Sequence, residues 1–204
     1  MILEIVPVGG MQVNCYILAS AKNSQAIIID PGDQERKIRQ VLTKHNLAPA
    51  FVINTHGHYD HIGDDDKFGV DIYVHKADKI MLEDPMANLS GLFASPYSVK
   101  SQIKIMEDEQ VVGLDDIKLK VLHVPGHTPG GIALEVLAPV KNIVFTGDTL
   151  FSEGIGRSDL IGGDSDLLVK SIREKLFVLP DETKIYPGHG PASTIGAEKK
   201  NGMI

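Results

Sequence analysis

Three short apolar runs open the chain and are separated by turn-forming residues. Their β-branched and apolar composition is typical of strands, and they cover residues 2–8, 13–19 and 25–30. Gly9-Gly10 and the polar stretch 22–24 are turn signals, so we expect these strands to pair antiparallel. The sequence Asp30-Pro31-Gly32 ends the third strand, and an Asx-type turn at Asp30 is favoured over a functional role.

Helical spacing of apolar residues first occurs after this opening. Ile38, Val41 and Leu42 recur at helical intervals among charged residues, which predicts an amphipathic helix over 34–46. Further along, helices are predicted over 62–69, 75–83 and 165–178. The remaining strands are predicted over 51–53, 71–74, 117–124, 132–137, 142–145 and 184–186.

Residues 84–104 are the least regular part of the chain. Pro85, Gly91 and Pro96 interrupt the pattern, while four residues give the segment an apolar side. These four are Met86, Leu89, Leu92 and Phe93. Long irregular segments inside compact domains are often functional. We therefore expect this segment to lie over a functional site or to form an interface.

The composition is that of an ordinary globular protein. The 204 residues are 43% hydrophobic and 23% charged, which is compatible with one domain over residues 1–204 and a sizeable core. The net charge of −7 disfavours nucleic acid as a partner. No apolar run is long enough for a transmembrane helix, so no membrane association is expected.

Two further features favour the cytoplasm. The N-terminal residues lack the basic region of a signal peptide. The single cysteine, Cys15, excludes an intrachain disulfide and lies in an apolar run typical of a buried thiol. We therefore expect a cytoplasmic protein, and the sequence leaves its oligomeric state open.

The chemistry of the chain is concentrated in the stretch Thr55-His56-Gly57-His58-Tyr59-Asp60-His61. Neutral imidazole and carboxylate groups are good ligands for divalent transition metals. If the chain stays extended after the preceding strand, His56 and His58 point the same way and can hold one ion. If a helix begins next, Asp60 and His61 point to a different place. We therefore expect two metal sites side by side.

Strand ends followed by glycine-containing loops recur three more times, and these loops carry His127, Asp148 and His189. Rigid strands that present polar residues on terminal loops are the usual way to build a site. Each loop alone is a weak signal, whereas together with the first stretch the signal is strong. The other histidines are interpreted as a cap-region residue (His75), a packed or rim residue (His123) and a surface residue (His45).

These motifs together resemble those of the metallo-β-lactamase superfamily. They run in the order T-H-x-H-x-D-H, P-G-H-T-P-G, T-G-D-T-L-F and P-G-H-G and span essentially the whole chain. The likeness is strongest to glyoxalase II (hydroxyacylglutathione hydrolase), in particular to its short single-domain relatives, and rests on segments 147–151, 156–160 and 188–198. The resemblance implies an α/β (α+β) fold, a four-layer αββα sandwich of two mixed β-sheets flanked by helices, with the site along one edge.

The same resemblance implies how the ligands divide between two ions. The first metal would be held by His56, His58 and His127, and the second by Asp60, His61 and His189, with Asp148 bridging. It implies two divalent metal ions per chain, with zinc favoured and iron or manganese as alternatives, because His/Asp sites accept all three. This division agrees with the one that residue spacing suggests.

The implied activity is that of a dinuclear metallohydrolase that cleaves a thioester. The substrate would be a small S-2-hydroxyacyl-thiol such as S-lactoylglutathione. A hydroxide that bridges the two metals would attack the thioester carbonyl, and a thiolate leaves without a dedicated acid. Asp60 and Asp148 are the candidate catalytic residues, since Asp60 would both ligate and orient the hydroxide. Tyr59, Arg157 and Asp159 are candidates for substrate binding.

Several features separate the chain from the longer glyoxalase II enzymes. Those enzymes carry a C-terminal helical domain that helps to hold glutathione, whereas this sequence ends fifteen residues after His189. Arg157 stands where the family places a basic residue near glutathione, and a surface ion pair with Asp159 is an equal alternative for it. Asp159 stands where the longer enzymes have an aromatic residue. The identity of the thiol carrier is therefore left open.

Other activities also stay open. The Gly-Arg-Ser-Asp segment resembles the mononuclear iron persulfide dioxygenases of the same superfamily, which would use His56, His127 and Asp148 only. The complete second ligand set and the Thr149-Leu150-Phe151 run favour the hydrolase. A lactonase is a further alternative, whereas the lack of an export signal disfavours a periplasmic β-lactamase and the acidic charge disfavours a nucleic-acid-processing enzyme. A purely structural role is disfavoured because seven ligand-type residues exceed the four of a closed zinc site.

Overall fold

Two six-stranded sheets form the centre of the molecule in a computed structural model that describes residues 1–202 and 204. In the first sheet the strands lie side by side in chain order: β1 (Ile2–Val8), β2 (Val13–Ala19), β3 (Gln25–Ile29), β4 (Ala48–Ile53), β5 (Asp71–His75) and β6 (Ile103–Met106). The β1–β2 and β2–β3 pairs are antiparallel, as the sequence predicts. The later pairs in this sheet are parallel.

The second sheet is built from the second half of the chain. Its strands are β7 (Val111–Leu114), β8 (Ile117–His123), β9 (Ile132–Ala138), β10 (Ile143–Gly147), β13 (Lys184–Pro187) and β14 (Ser193–Thr194). Their spatial order is β14-β13-β10-β9-β8-β7. The β10–β13 pair is parallel and the other pairs are antiparallel. A small hairpin of β11 (Leu150–Phe151) and β12 (Gly154–Ile155) follows β10.

The helices are short and lie between or after the strands. They are α1 (Glu35–His45), α2 (Tyr59–Ile62), α3 (Lys79–Glu83), α4 (Ser90–Phe93), α5 (Ser165–Ser171) and α6 (Ile195–Asn201). In α1 the acidic Glu35 lies in the first turn and the basic Lys44 and His45 in the last, an arrangement that the helix dipole favours. No helix that the structure describes is long and apolar enough to cross a lipid bilayer.

Three apolar clusters fill the spaces between four layers. The cluster between the two sheets includes Tyr16 from the first sheet and Val121 from the second. A second cluster packs α1, through Ile38 and Leu42, on the outer face of the first sheet. The third packs α5, through Leu168, on the outer face of the second sheet. Burial of apolar surface is the dominant favourable contribution to folding, so these clusters hold the layers together. The expected αββα sandwich of two mixed sheets is confirmed.

The predicted helix over 62–69 is wrong in its bounds. α2 ends at Ile62, and a separate 3-10 turn covers Asp65–Phe68. The amide of Asp64 donates to the carbonyl of Pro31 at 2.9 Å instead of continuing the helix, because the two backbones pass close together here. The predicted helix over 75–83 is likewise divided, into a 3-10 turn at Lys76–Asp78 and α3.

Some short elements escape the sequence patterns altogether. They include β6, the β11–β12 hairpin, β14 and α6, which have two to seven residues each. Such short segments carry too few residues for a periodic signal, and their conformation is stabilised by pairing and packing with neighbours. One domain over residues 1–204 stays a prediction.

The strand ends that carry the predicted site converge at one edge of the sandwich. The amide of Ile132 in β9 donates to the carbonyl of Thr55 at 2.8 Å, which links the end of β4 to the second sheet. The amide of Gly188 donates to the carbonyl of Gly147 at 2.7 Å, which links the loop after β13 to the end of β10. The loops that follow β4, β8, β10 and β13 therefore meet where the two sheets join.

Candidate metal centre

Seven side chains from these four loops meet at this edge. Their donor atoms form three groups, and within each group the atoms lie within 4.8 Å of one another. The groups are His56, His58 and His127; His56, His61 and Asp148; and Asp60, His61 and His189. The structure therefore brings together every residue that the sequence predicts as a metal ligand.

The first donor group, His56, His58 and His127, is buried. Nε2 of His127 lies 2.9 Å from Nδ1 of His58 and 3.3 Å from Nε2 of His56. Gly57 separates His56 from His58, so the extended chain after β4 presents both rings to the same side, as predicted. Three imidazole nitrogens thus face one point between the sheets.

The second donor group consists of Asp60, His61 and His189. Nε2 of His61 and Nε2 of His189 are 3.3 Å apart, and Oδ2 of Asp60 lies 3.5 Å from Nε2 of His189. Asp148 lies between the two groups: its Oδ1 is 3.4 Å from Nε2 of His61, and its Oδ2 is 3.8 Å from Nε2 of His127. This position suits a carboxylate that touches both groups.

The outer ring nitrogens of His127 and His189 fix the direction of their lone pairs. Nδ1 of His127 donates to the carbonyl of Arg157 at 2.7 Å, and Nδ1 of His189 donates to the carbonyl of Met11 at 3.0 Å. Because a carbonyl can only accept, Nδ1 carries a proton in both rings, and Nε2 is the nitrogen that faces the centre and can bind a metal ion. Such outer contacts are typical of metal-binding histidines.

Asp30 makes the corresponding contact with His61. Its Oδ2 lies 3.0 Å from Nδ1 of His61, and its two oxygens accept from the backbone amide and the hydroxyl of Thr55, each at 2.7 Å. The interpretation of Asp30 as an Asx-type turn is therefore wrong, because its side chain binds the metal-centre loop instead. The position of Asp30 directly after β3 indicates this role. β3 and β4 are parallel neighbours, so their carboxyl ends lie at the same edge of the sheet.

Burial and repulsion from neighbouring histidines keep His56 and His58 neutral. Burial and the neighbouring His127 lower the pKa of His58 to about 3. Burial and the neighbouring His61 hold the pKa of His56 well below its usual range. A neutral imidazole is the form that binds a metal ion.

The second donor group has the opposite electrostatic balance. Burial opposes protonation of His189, but hydrogen bonds to Asp148 and Asp60 outweigh it and raise the pKa of His189 to about 9. Burial would raise the pKa of Asp148, but the charge of His61 and the hydrogen bond to His189 outweigh it and hold that pKa well below its usual range. The carboxylates of this group therefore favour positive charge on its histidines, and the histidines keep Asp148 ionised.

The donor set fits divalent metal ions. The neighbouring carboxylates outweigh burial and raise the pKa of His61 as well as that of His189, although the Nε2 atoms of these two rings are only 3.3 Å apart. A bound cation supplies the positive charge that the two protons otherwise provide, and it binds the rings in their neutral form. Oδ1 of Asp148 is buried and has no hydrogen-bond partner in the described part of the chain. A buried carboxylate oxygen without a partner costs free energy unless a cation binds it. Nitrogen and oxygen ligands of this kind suit zinc, iron and manganese.

Comparison with known proteins decides the family. Residues 8–189 match the family model described as the metallo-beta-lactamase superfamily. The chain belongs to the metallo-β-lactamase superfamily. The resemblance inferred from the four loop motifs is thereby confirmed, and so is the fold.

Relatives in this superfamily match almost the whole chain. The hydroxyacylglutathione hydrolase GloC of Haemophilus influenzae is 35% identical over 206 residues, covering 98% of this chain and 95% of the relative. The crystal structure of the B3 metallo-beta-lactamase BLEG-1 has a TM-score of 0.89 and 33% identity, covering 98% of this chain and 97% of that one. TTHA1623, solved in a di-iron-bound form, has a TM-score of 0.82 and 30% identity over 97% of this chain and 98% of its own.

Two cavities lie beside the donor groups of this superfamily member. The smaller, of about 270 Å³, lies directly over them and has an apolar wall of Leu89, Phe93 and Leu160. The larger, of about 580 Å³, shares Met11, Tyr59 and Asp60 with it and is lined in part by residues 94–97. The segment 84–104 therefore contributes a wall to both cavities. This agrees with the expectation that it lies over a functional site.

Of the three residues predicted to bind substrate, Tyr59 and Arg157 line these cavities and Asp159 does not. Tyr59 lines both cavities, and Arg157 lines the smaller one. The Arg157 side chain forms two hydrogen bonds to Asp159, at 2.7 and 2.8 Å, and both side chains are exposed. The ion pair that the sequence allowed for Arg157 is therefore present, and the backbone carbonyl of Arg157, rather than its guanidinium, contacts His127.

The remaining histidines lie outside the donor groups. His75 is the cap residue of the 3-10 turn after β5, where its Nδ1 accepts from the amide of Ala77 at 3.4 Å. Its ring stacks on that of His123, with 3.9 Å between ring centroids. The interpretations of His75 as a cap-region residue and of His123 as a packed or rim residue are both confirmed.

Proposed function

We propose that this protein is a dinuclear metallohydrolase that cleaves the thioester of an S-2-hydroxyacyl-thiol. The observation that carries the proposal is the position of Asp148 between two complete donor groups. A single-ion enzyme has no need of the second group, in which Asp30 holds the His61 ring and the carbonyl of Met11 holds the His189 ring. GloC, the relative described as a hydroxyacylglutathione hydrolase, supports the reaction class, and the di-iron form of TTHA1623 supports two ions.

The first donor group would hold one divalent ion and the second donor group the other, with Asp148 a ligand of both. When bound, such ions supply Lewis acidity and lower the pKa of water toward neutrality. A serine or cysteine nucleophile is then not required. Zinc is the favoured metal, with iron or manganese as alternatives.

Asp60 is proposed to orient the attacking water in addition to binding an ion. Asp60 lines both cavities, and its Oδ2 lies 3.8 Å from Nε2 of His61. Burial would raise the pKa of Asp60, but the charge of His61 and a hydrogen bond to His189 keep it below its usual range. Asp60 is therefore an ionised acceptor at neutral pH. The leaving thiolate needs no protonating residue.

The substrate would lie in the smaller cavity. Leu89, Phe93 and Leu160 offer an apolar surface for the acyl group or the thiol, and the Tyr59 hydroxyl offers a hydrogen bond. Arg157 would turn from Asp159 to a substrate carboxylate. Exposed ion pairs contribute only about 0–1 kcal/mol, so this exchange costs little. Asp159 would then act by holding Arg157 in place before substrate binds.

Hydrolysis of a β-lactam is the second candidate. It is favoured by the likeness to BLEG-1, which is described as a B3 metallo-beta-lactamase. The two reactions differ in the group that leaves, because an amide nitrogen must gain a proton and a thiolate need not. Apart from the proposed metal ligands and the strongly basic Arg157, the Tyr59 hydroxyl is the one side chain lining the smaller cavity in the described residues that could donate this proton.

The experiment that tests the proposal compares the two substrate classes on one preparation. Protein loaded with zinc is given S-lactoylglutathione or nitrocefin, and free thiol or opened lactam is measured. We expect thiol release that chelation abolishes and metal restores, with a kcat/KM at least a hundredfold above that for the lactam. Lactam opening without thiol release would overturn the thioesterase proposal.

A further inference from the structure

Asp78 is a buried carboxylate outside the ligand set that touches both loops of the first donor group. It ends the 3-10 turn after β5 and is completely shielded from solvent. Its Oδ2 accepts from the amide of Gly57 at 3.1 Å, and Gly57 lies between His56 and His58. Asp78 therefore contacts the loop of the first sheet that carries His56 and His58.

The other contacts of Asp78 are on the loop of the second sheet. Oδ2 also accepts from the hydroxyl of Thr128 at 2.7 Å, and Oδ1 accepts from the amide of Gly130 at 2.6 Å. Thr128 follows His127 directly. A side chain at Gly130 would collide with Asp78, so the glycine is what lets the loop approach the carboxylate. Three donors from two loops are thus satisfied by one side chain.

Asn14 makes a parallel set of contacts on the loop of the second donor group. Its Nδ2 donates to the carbonyls of Pro187 and Gly190 at 3.0 and 2.9 Å, on either side of His189. Its backbone amide donates to the carbonyl of Gly188 at 2.7 Å. Asn14 lies in β2 of the first sheet, whereas His189 follows β13 of the second.

We infer that Asp78 and Asn14 are separate positioning residues, Asp78 for the first donor group and Asn14 for the second. Asp78 joins a loop of the first sheet to a loop of the second, and Asn14 joins strand β2 of the first sheet to the loop that carries His189. These junctions decide the relative position of the ligands. The inference rests on the two-ion centre proposed above and on no particular substrate. Neither residue belongs to a donor group or lines either of the two cavities, so each acts through the loop that it holds.

The physical reason is that the ligands in each group come from different sheets. The position of His127 relative to His56 and His58 depends on how two loops are joined, and Asp78 is that junction. Positioning contacts of this kind change metal affinity by about 10–100-fold when removed. The two groups should therefore respond to different substitutions.

The test is a zinc titration of metal-free protein with histidine ring nitrogens labelled with ¹⁵N, so that NMR reports which rings bind. Asp78→Asn keeps the size of the side chain, and Asn14→Leu removes both amide donors at similar volume. Thr128→Val, which deletes a single contact of Asp78, is included in case Asp78→Asn does not fold. Asp66→Asn is the matched control, because Asp66 also holds a loop, at the amides of Lys100 and Ser101, away from the donor groups.

We expect Asp78→Asn to weaken zinc binding by His56, His58 and His127 by about 10–100-fold while His61 and His189 bind as in the wild type. Asn14→Leu should do the reverse, Thr128→Val should give a smaller effect on the first group, and Asp66→Asn should change neither. If the wild type binds two ions but each variant loses zinc equally from both donor groups, the separate positioning roles are overturned and the two-ion centre is not. A single ion in the wild type would overturn the two-ion centre itself.

Discussion

Oδ2 of Asp30 lies 3.0 Å from Nδ1 of His61, and both side chains are buried. The carboxylate fixes the ring so that Nε2 faces Asp148 and His189. Asp30 also accepts from the amide and hydroxyl of Thr55, the residue before His56. One side chain at the end of β3 therefore orients a ligand of the second donor group and anchors the strand that delivers the first.

Asp30→Asn tests this contact. The amide has the same shape and tolerates the left-handed backbone of residue 30, which has a φ of 52°. Its single oxygen cannot replace both carboxylate oxygens, so it cannot accept from the amide of Thr55, the hydroxyl of Thr55 and Nδ1 of His61 together. We therefore expect metal affinity to fall by about 10–100-fold and activity at limiting metal to fall with it. Zinc titration measures the effect, and the exposed Asp181→Asn is the control. Unchanged affinity in Asp30→Asn would show that the contact is only structural.

Asp148→Ala tests the bridging position. Asp148 lies within reach of both donor groups. Its removal should therefore lower the metal content and, in the same sample, reduce turnover by at least a thousandfold. Metal analysis and a hydrolysis assay on the same sample measure both, and Asp159→Ala, which removes an exposed carboxylate, should retain its metal. Wild-type hydrolysis by Asp148→Ala would contradict the bridging role.

Phe93→Ala tests the apolar wall of the smaller cavity. Contact with an aromatic ring contributes about 1–2 kcal/mol, so KM should rise by about 5–30-fold with little change in kcat. Leu92→Ala is the matched control, because Leu92 lies on the same helix and is exposed but does not line the cavity. Equal effects of the two substitutions on KM would place the substrate elsewhere.

Asp65 gives a prediction on stability that does not involve the metals. It is completely buried, and burial holds its pKa well above the usual range. Asn54 donates to Oδ1 of Asp65 at 3.1 Å, while Oδ2 of Asp65 and Oδ1 of Asn54 are both buried without a partner in the described residues. A proton on Oδ2 supplies the donor that this pair lacks.

The sign of the pH dependence follows from the raised pKa. The folded state holds the proton more tightly than the unfolded state, so the contribution to stability is present below the unfolded pKa and is lost as the pH rises toward the folded pKa. Within that window the wild type should lose about 1.4 kcal/mol per pH unit relative to Asp65→Asn. Denaturant unfolding between pH 4 and pH 8 measures the difference. A constant difference between the two proteins would contradict a protonated Asp65.

The donor residues could be predicted because each lies in a short glycine-containing loop directly after an apolar strand. His127, Asp148 and His189 show this in the sequence itself. The positioning residues could not, because their roles depend on contacts between distant segments. Asp78 and Gly130 are 52 residues apart, and Asn14 and Gly190 are 176 apart.

The fold divides in the same way. Strands with long apolar runs, such as β2 and β8, were predicted close to their observed bounds. The helix predicted over 62–69 was not, because the amide of Asp64 binds Pro31 from a separate part of the chain. Local patterns indicate elements, whereas contacts between elements decide where they end.

The most direct test of the central proposal is a count of metal ions per chain against activity in one titration. Metal-free protein is given increasing zinc, iron or manganese, and thiol release from S-lactoylglutathione and oxygen uptake with glutathione persulfide are measured at each step. The two-ion hydrolase predicts thiol release that reaches its maximum at two ions per chain, with no oxygen uptake. Full activity at one ion, or oxygen uptake without thiol release, would contradict it.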